Sequence, residues 1–284
     1  MASSQQLLLG QVAQGGYQIS RSLRFNSADS AYLDRTPASA GNRKTWTWSG
    51  WVKRSALEAN NILFSAGPST SDRLIFNFNT TDNLTINNTV SNSLTTIRTT
   101  TAVYRDISGW YHVVLAVDTT QATASNRTKI YVNGEQVTAF STSNDFTQNY
   151  DGFVDAANQH NIGLAISGSA YANFYLTEVN FIDGSALDPT SFGEYNTDTG
   201  VWQPKAYTGS YGTNGFYLNF SDNSGTTSTT LGKDYSGNGN NWTPNNFSVT
   251  AGAGNDSLVD TPTPYGTDTG VGRYGRSEKS ILRY

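Results

Sequence analysis

The chain has 284 residues, enough for one large all-β domain or two smaller domains with a sizeable core. Charged residues make up 14% and the net charge is −4, so no basic field exists to hold nucleic acid. The apolar runs are too short to span a bilayer, and with no cysteine the chain has no disulfide, thiolate chemistry or Cys-based zinc site.

In chain order, the first 18 residues are polar and glycine-containing, with one short leucine patch and no basic n-region. They read as an anchoring arm rather than a signal peptide. "SLRFNSADSAYLDR" follows as a strand and turn, then "KTWTWSGWVKR" as a second strand. On that strand Trp46, Trp48, Gly50 and Val52 share one face, and Thr47, Ser49 and Trp51 share the other. Trp46 and Trp48 are therefore expected in the core, each needing a partner for its indole N–H. Trp51, on the polar face, has two readings: a strand-edge or subunit contact, or an aromatic plate for the apolar face of a sugar.

"NILFSAG" is a further strand. "DRLIFNFNTTDNLTIN" is a hairpin turning at Asp82-Asn83, with Leu74, Phe76 and Phe78 on one face. "WYHVVLAVD" is apolar on both sides, as expected of a central strand covered twice. In "NRTKIYVNGEQVTAF", Asn133-Gly134 between two alternating runs signals a type I′ hairpin, which sets Ile130 opposite Val137 and Thr128 opposite Ala139. "NFYLTEVNFIDG" is a long strand on which Glu178 shares a face with Phe174, Leu176 and Ile182, so it needs a buried donor. "ALDPTSFGEY" suits a helical turn entered at Asp188 with Pro189 at N1. "GFYLNFSD" is a strand with Phe216, Leu218 and Phe220 on one face. From residue 251 no periodic signal remains. The expected organisation is an arm over 1–18, an antiparallel two-sheet jelly-roll sandwich over 19–250, and an extended tail over 251–284.

Catalytic signatures are scarce. His112 lies on a covered strand and reads as structural. No Glu-x-Asp-x-Glu run supplies the two carboxyls that glycoside hydrolysis needs. "GVGRYG" (270–275) fits a dinucleotide fingerprint in letters only, because no strand–helix unit surrounds it. "DYSGNG" sets Asp234, Ser236 and Asn238 at alternate positions before a glycine. That spacing suits calcium, and equally an Asx turn.

The ordered series "SLRFNSADSAYLDRT", "TWTWSGWVKRS", "ILFSAG", "WYHVVLAVDTT", "KIYVNGEQV" and "FYLTEVNFIDGSAL" resembles the concanavalin A-like lectin/glucanase superfamily, in its laminin-G-like/pentraxin-like branch, over residues 20–190. The phrases "DTTQATASNR", "VNGEQVTAFST", "NGFYLNFSDNS" and "VTAGAGNDSLVD" are similar to virion proteins of tailed bacteriophages, of fibre or decoration type. The resemblance implies a concanavalin A-like jelly roll on the particle exterior, non-enzymatic, held to other capsid or tail proteins through its terminal arms. Homo-oligomerisation as a trimer follows by analogy alone. Host-surface glycan attachment and a purely structural cement role are both open, and a free bacterial carbohydrate-binding protein is the rival.

Overall fold

The computed structural model describes residues 17–263. Strands β1 (Ser22–Phe25) and β2 (Tyr32–Arg35) are joined by a 3-10 turn that Asn26 caps. Then come β3 (Thr45–Arg54), β4 (Asn61–Gly67), β5 (Arg73–Phe78), β6 (Asn83–Val90), β7 (Ser93–Val103) and β8 (Tyr111–Asp118). The Asn133-Gly134 turn joins β9 (Thr128–Val132) to the short β10 (Glu135–Gln136), after which β11 (Phe140–Asn144) and β12 (Gln159–Ile162) lead to β13 (Phe174–Asp183). Short strands follow: β14 (Gly193–Tyr195), β15 (Trp202–Pro204), β16 (Phe216–Leu218), β17 (Thr243–Asn245) and β18 (Ser257–Leu258).

These strands form two large antiparallel sheets. The first runs β10-β9-β8-β3-β13-β1-β18, with β16 also on β13; the second runs β11-β7-β6-β5-β4-β12-β2-β17. The jelly-roll sandwich expected from sequence is what forms. Trp46, Trp48, Val113, Leu115, Val117 and Ile130 from the first sheet meet Phe64, Leu74, Phe76, Phe78, Leu84 and Ile86 from the second. Trp48 packs edge-on against Phe76, with centroids 5.8 Å apart. Burying each such side chain stabilises the fold by about 1.5–3 kcal/mol. The indole N–H of Trp48 is buried without a hydrogen-bond partner, contrary to the expectation that it would find one.

Alternation along β8 explains the doubly apolar strand. Val113, Leu115 and Val117 face the sandwich core, whereas Val114 and Ala116 face a second cluster with Tyr131, Ile182 and Phe192. The segment from Leu187 to Tyr211, including the β14–β15 ribbon, lies over this outer face. Asp188 caps the 3-10 turn Pro189–Ser191, accepting from Thr190 N at 2.9 Å, as its place before Pro189 suggests.

The hairpin register holds at its tip. Asn133 (φ 49°) and Gly134 (φ 87°) take the left-handed turn, and Val137 N donates to Ile130 O at 2.8 Å. The chain then departs: Ala139 O accepts from Thr101 N, so Ala139 joins β7 rather than facing Thr128. Glu178 corrects another expectation. It sits in a bulge of β13 at φ 53°, where the register to β3 shifts. Phe174 and Leu176 point inward before the bulge, Val179 and Phe181 point inward after it, and Ile182 is thereby turned outward.

The boundary at residue 251 is also corrected. β18 pairs with β1, Arg24 bonds Asp256, and Lys53 bonds Asp260, so the chain as far as Thr263 belongs to the sandwich. Ile19 N donates to Thr263 Oγ1 at 2.9 Å, setting the two ends of the described chain side by side. The 270–275 glycine motif lies outside the described residues.

An ion pair unannounced by the sequence pattern closes one end. Arg54 and Asp82 are both fully buried, 2.8 Å apart. Asp82 also accepts from Arg105 Nε and Glu58 N at 2.8 Å each, while Arg54 donates to the carbonyls of Tyr104 and Ala56 and lies over the Phe78 ring.

Candidate functional site

The residues singled out in the sequence are placed apart from one another. Trp51 is on the central strand β3, between His112 of β8 and Thr177 of β13. It is 4% exposed, and its ring stacks on His112 with centroids 4.9 Å apart. Trp202 lies at the edge of the imidazole, its ring nearly parallel (23°) and its centroid 5.9 Å away. The strand-edge and sugar-plate readings of Trp51 both give way, because the Leu187–Tyr211 segment covers the face that alternation alone had left open.

His112 is structural. Its Nδ1 accepts from Trp202 Nε1 at 3.0 Å, which fixes the proton on Nε2, 2.9 Å from Ser49 Oγ. Burial pushes its pKa down to about 3.

The calcium reading of Asp234, Ser236 and Asn238 yields to the Asx turn. Asp234 Oδ1 accepts from Tyr217 N and Ser236 N, and Oδ2 accepts from Ser236 Oγ and Asn240 N, all at 2.8 Å. Asn238 points its amide away, to the carbonyls of Gly212 and Gly215. With four donors on the carboxylate, no lone pair is directed at an ion. Among the described residues no group of three or more His, Cys, Asp or Glu side chains is placed to hold a metal.

Glu178 does find buried donors. Its Oε2 lies 2.6 Å from the Tyr17 hydroxyl and 2.7 Å from the Tyr217 hydroxyl, and the two hydroxyls are 2.6 Å from each other. Three oxygens with three short edges need three hydrogens. An ionised carboxylate leaves only two, from the tyrosines, whereas a protonated Glu178 completes the ring. Burial agrees, pushing the Glu178 pKa up to about 7 against the two tyrosine hydrogen bonds. This carboxyl is enclosed and cannot face a substrate.

The open site is elsewhere. A cleft of about 360 Å³ lies on the outer face of the first sheet, where Ala116 and Tyr131 form the floor. Asp118 ends β8, Gln121 and Asn126 come from the loop after it, Lys129 rises from β9, and Leu187 and Asp188 form the opposite wall. It offers what a sugar requires: carboxylate acceptors, amide and ammonium donors, and a small apolar floor. Asp118 is held in place by Thr120 (N at 3.0 Å, Oγ1 at 2.6 Å) and by Gln121 Nε2 at 2.5 Å. Burial works against its ionisation, but these bonds prevail and lower its pKa. Sequence reading missed this cleft, although the Asp188–Pro189 cap that builds one wall was visible.

The architecture is that of a lectin-type two-sheet sandwich, with its ligand-accessible chemistry on an outer face. The chain belongs to the Laminin_G_3 family of the concanavalin A-like lectin/glucanases superfamily, whose model matches residues 26–191. The β14–β15 ribbon lies beyond the matched residues. No curated protein sequence matches the chain. Among solved structures it is similar to a heptameric SAP-like pentraxin from Limulus polyphemus (16% identity over 59% of this chain and 77% of that one, TM-score 0.43). It is also similar to domains LG4-5 of the mouse laminin alpha1 chain (12% identity, 68% and 46%, TM-score 0.43). A third is the CBM40 of a Ruminococcus gnavus IT-sialidase bound to alpha2,3 sialyllactose (15% identity, 56% and 83%, TM-score 0.34). The chain spans less than half of the laminin fragment.

Proposed function

We propose that this protein is a non-enzymatic carbohydrate-binding module displayed on the exterior of a tailed-phage particle, where it contacts host-surface glycans. The cleft between Tyr131 and Asp188 carries the reading: it is polar, open, and walled by hydrogen-bonding side chains of both kinds. Hydrolysis is disfavoured there, because a general acid needs a raised pKa and that of Asp118 is lowered. Binding to one shallow cleft is weak, and many copies on a particle, as in a trimeric fibre, multiply it. The particle setting rests on the phage-like phrases of the sequence. Ile19 and Thr263, which border the terminal segments, lie side by side, and this suits display from one attachment point better than a cement strap pinned at two.

A glycan array probed with the purified full chain tests the reading, followed by titration of the best ligand against Asp188→Asn and Gln121→Ala. Asn at 188 keeps the cap of the 3-10 turn, so the fold is retained while the wall loses its charge. Binding that falls about tenfold, as for one lost hydrogen bond to a charged group, is the expected result. An empty array, or affinity indifferent to both variants, rejects the site. Immunogold labelling that finds no protein on purified particles rejects the virion setting and restores a free carbohydrate-binding protein.

A further inference from the structure

The bulge of β13 puts the Glu178 carboxyl beside the point where the chain enters the sandwich. Tyr17 stands ahead of β1, outside any strand, and is half-buried. Among the described residues its bonds are those of the ring, to Glu178 Oε2 and to the Tyr217 hydroxyl, each at 2.6 Å. Tyr217 is held far more firmly. Its N donates to Asp234 Oδ1 and its O accepts from Tyr235 N, both at 2.8 Å. It pairs with Asn180 across β16 and β13, and Tyr211 stacks on its ring at 6.4 Å.

The cations on neighbouring segments are engaged elsewhere. Arg21 reaches Ser257 Oγ at 3.4 Å, Lys53 is taken by Asp260, and Lys233 lies over the Tyr235 ring. Asp234, bonded to the backbone of Tyr217, is a second acid. Tyr211 gives its hydroxyl hydrogen to Asn180 Oδ1 at 2.8 Å. On β3 the neighbours at the bulge are Trp51 and Ser49, and His112 behind Ser49 is neutral.

Ionising Glu178 sends one hydrogen to solvent and leaves two for the three edges of the ring. Both hydroxyls then point at the carboxylate, and the Tyr17 and Tyr217 oxygens face each other at 2.6 Å with no hydrogen between them. One member has to leave. Tyr217 is fixed by β16, whereas only the ring holds Tyr17. We propose that Glu178, Tyr17 and Tyr217 form a proton-operated latch, closed while Glu178 carries its proton and opened by the departure of Tyr17 when the carboxyl ionises. The segment leading in from residues 1–16 is thereby clasped to the sandwich in acid and unclasped toward neutral pH. Departure of Tyr17 also admits water to a carboxylate that is otherwise buried. Burial pushes the closed-state pKa up to about 7, from an ordinary 4.5. Closure therefore has its full support below 4.5, and the closed-to-open ratio falls about tenfold per pH unit between those two values. The latch is separate from the glycan cleft and stands or falls without it.

The test follows the full chain, labelled with carbon-13 in tyrosine and glutamate, by NMR from about pH 4 to about pH 8. The Tyr17 signal is the one missing from Tyr17→Phe. It is expected to move from a buried to a solvent-exposed position as pH rises, in step with the Glu178 carboxyl carbon and with a midpoint between 4.5 and 7. Glu178→Gln supplies two amide hydrogens beside a tyrosine hydroxyl, three for three edges, and is expected to keep Tyr17 buried at every pH. A Tyr17 signal that stays still, that moves out of step with Glu178, or that moves equally in Glu178→Gln overturns the proposal. If the glutamine variant fails to fold, the joint titration of Tyr17 and Glu178 in the unaltered chain decides alone.

Discussion

Trp202 Nε1 donates to His112 Nδ1 at 3.0 Å, and this bond ties the β14–β15 ribbon to the centre of the first sheet. The ring of Trp202 fits because Gly134 and Gly193 lack the Cβ atoms that would strike it. Trp202→Phe keeps most of the packing but strands a buried acceptor, at a cost of about 1–3 kcal/mol. Chemical denaturation checks this. Gly134→Ala adds a Cβ both to a left-handed turn and against the indole, and it is expected to destabilise at least as much.

The two histidines make the fold acid-sensitive before the carboxylates do. Burial lowers His112 to about 3 and His160 to about 4, while both take up a proton near 6.5 once unfolded. The unfolded state thus binds more protons as pH falls below 6.5, and stability declines from there down toward the folded values. NMR of the imidazole resonances is expected to show neither ring titrating between pH 5 and 8.

Glu178 acts in the opposite direction. Its folded pKa of about 7 lies above its ordinary 4.5, so the proton it holds in the folded state stabilises below 4.5 and is progressively lost as contribution up to pH 7. Glu178→Gln carries an amide in place of the acid and is expected to flatten this decline. Thermal midpoints of both proteins across pH 4.5–7.5 measure the difference, and parallel curves reject the three-hydrogen ring. Tyr17→Phe opens that ring and is expected to lower the Glu178 contribution without disturbing the sheet.

Arg54→Met leaves Asp82 buried beside Arg105, which is half outside the fold. Removing one partner of a buried pair costs about 3–5 kcal/mol. Burial opposes ionisation of Asp82, but the bonds from Arg105, Glu58 N and Arg54 outweigh it and lower its pKa, so the pair strengthens the fold above pH 4 and fades as pH falls further. Denaturation of Arg54→Met and of the Arg54→Met, Asp82→Asn double variant is expected to show that the second change recovers part of the loss.

What was readable in the sequence was local. The Asn133-Gly134 turn, the doubly apolar β8 and the inward Trp46 and Trp48 all follow from neighbouring letters. Strand β7 escaped because its threonines alternate without apolar contrast: Thr96 and Thr100 are buried, and Thr95 is exposed. Trp51 was misread because period two reports which face a side chain takes, not whether another segment lies on that face. The pairs Arg54–Asp82 and Trp202–His112 join residues far apart in the chain, and no local spacing announces them. The Glu178 bulge hid for a related reason, since one extra residue inverts the parity of everything after it.

The meeting of Ile19 with Thr263 has an engineering consequence. Two segments that lie side by side at a shared hydrogen bond, just before β1 and just after β18, impose almost no span on whatever is fused at those points. The 19–263 unit can be spliced into a surface loop of a carrier without stretching either partner, or recut at a loop such as 222–229 with residues 19 and 263 joined by a short linker. In that sense it behaves as a cassette whose inlet and outlet share one socket.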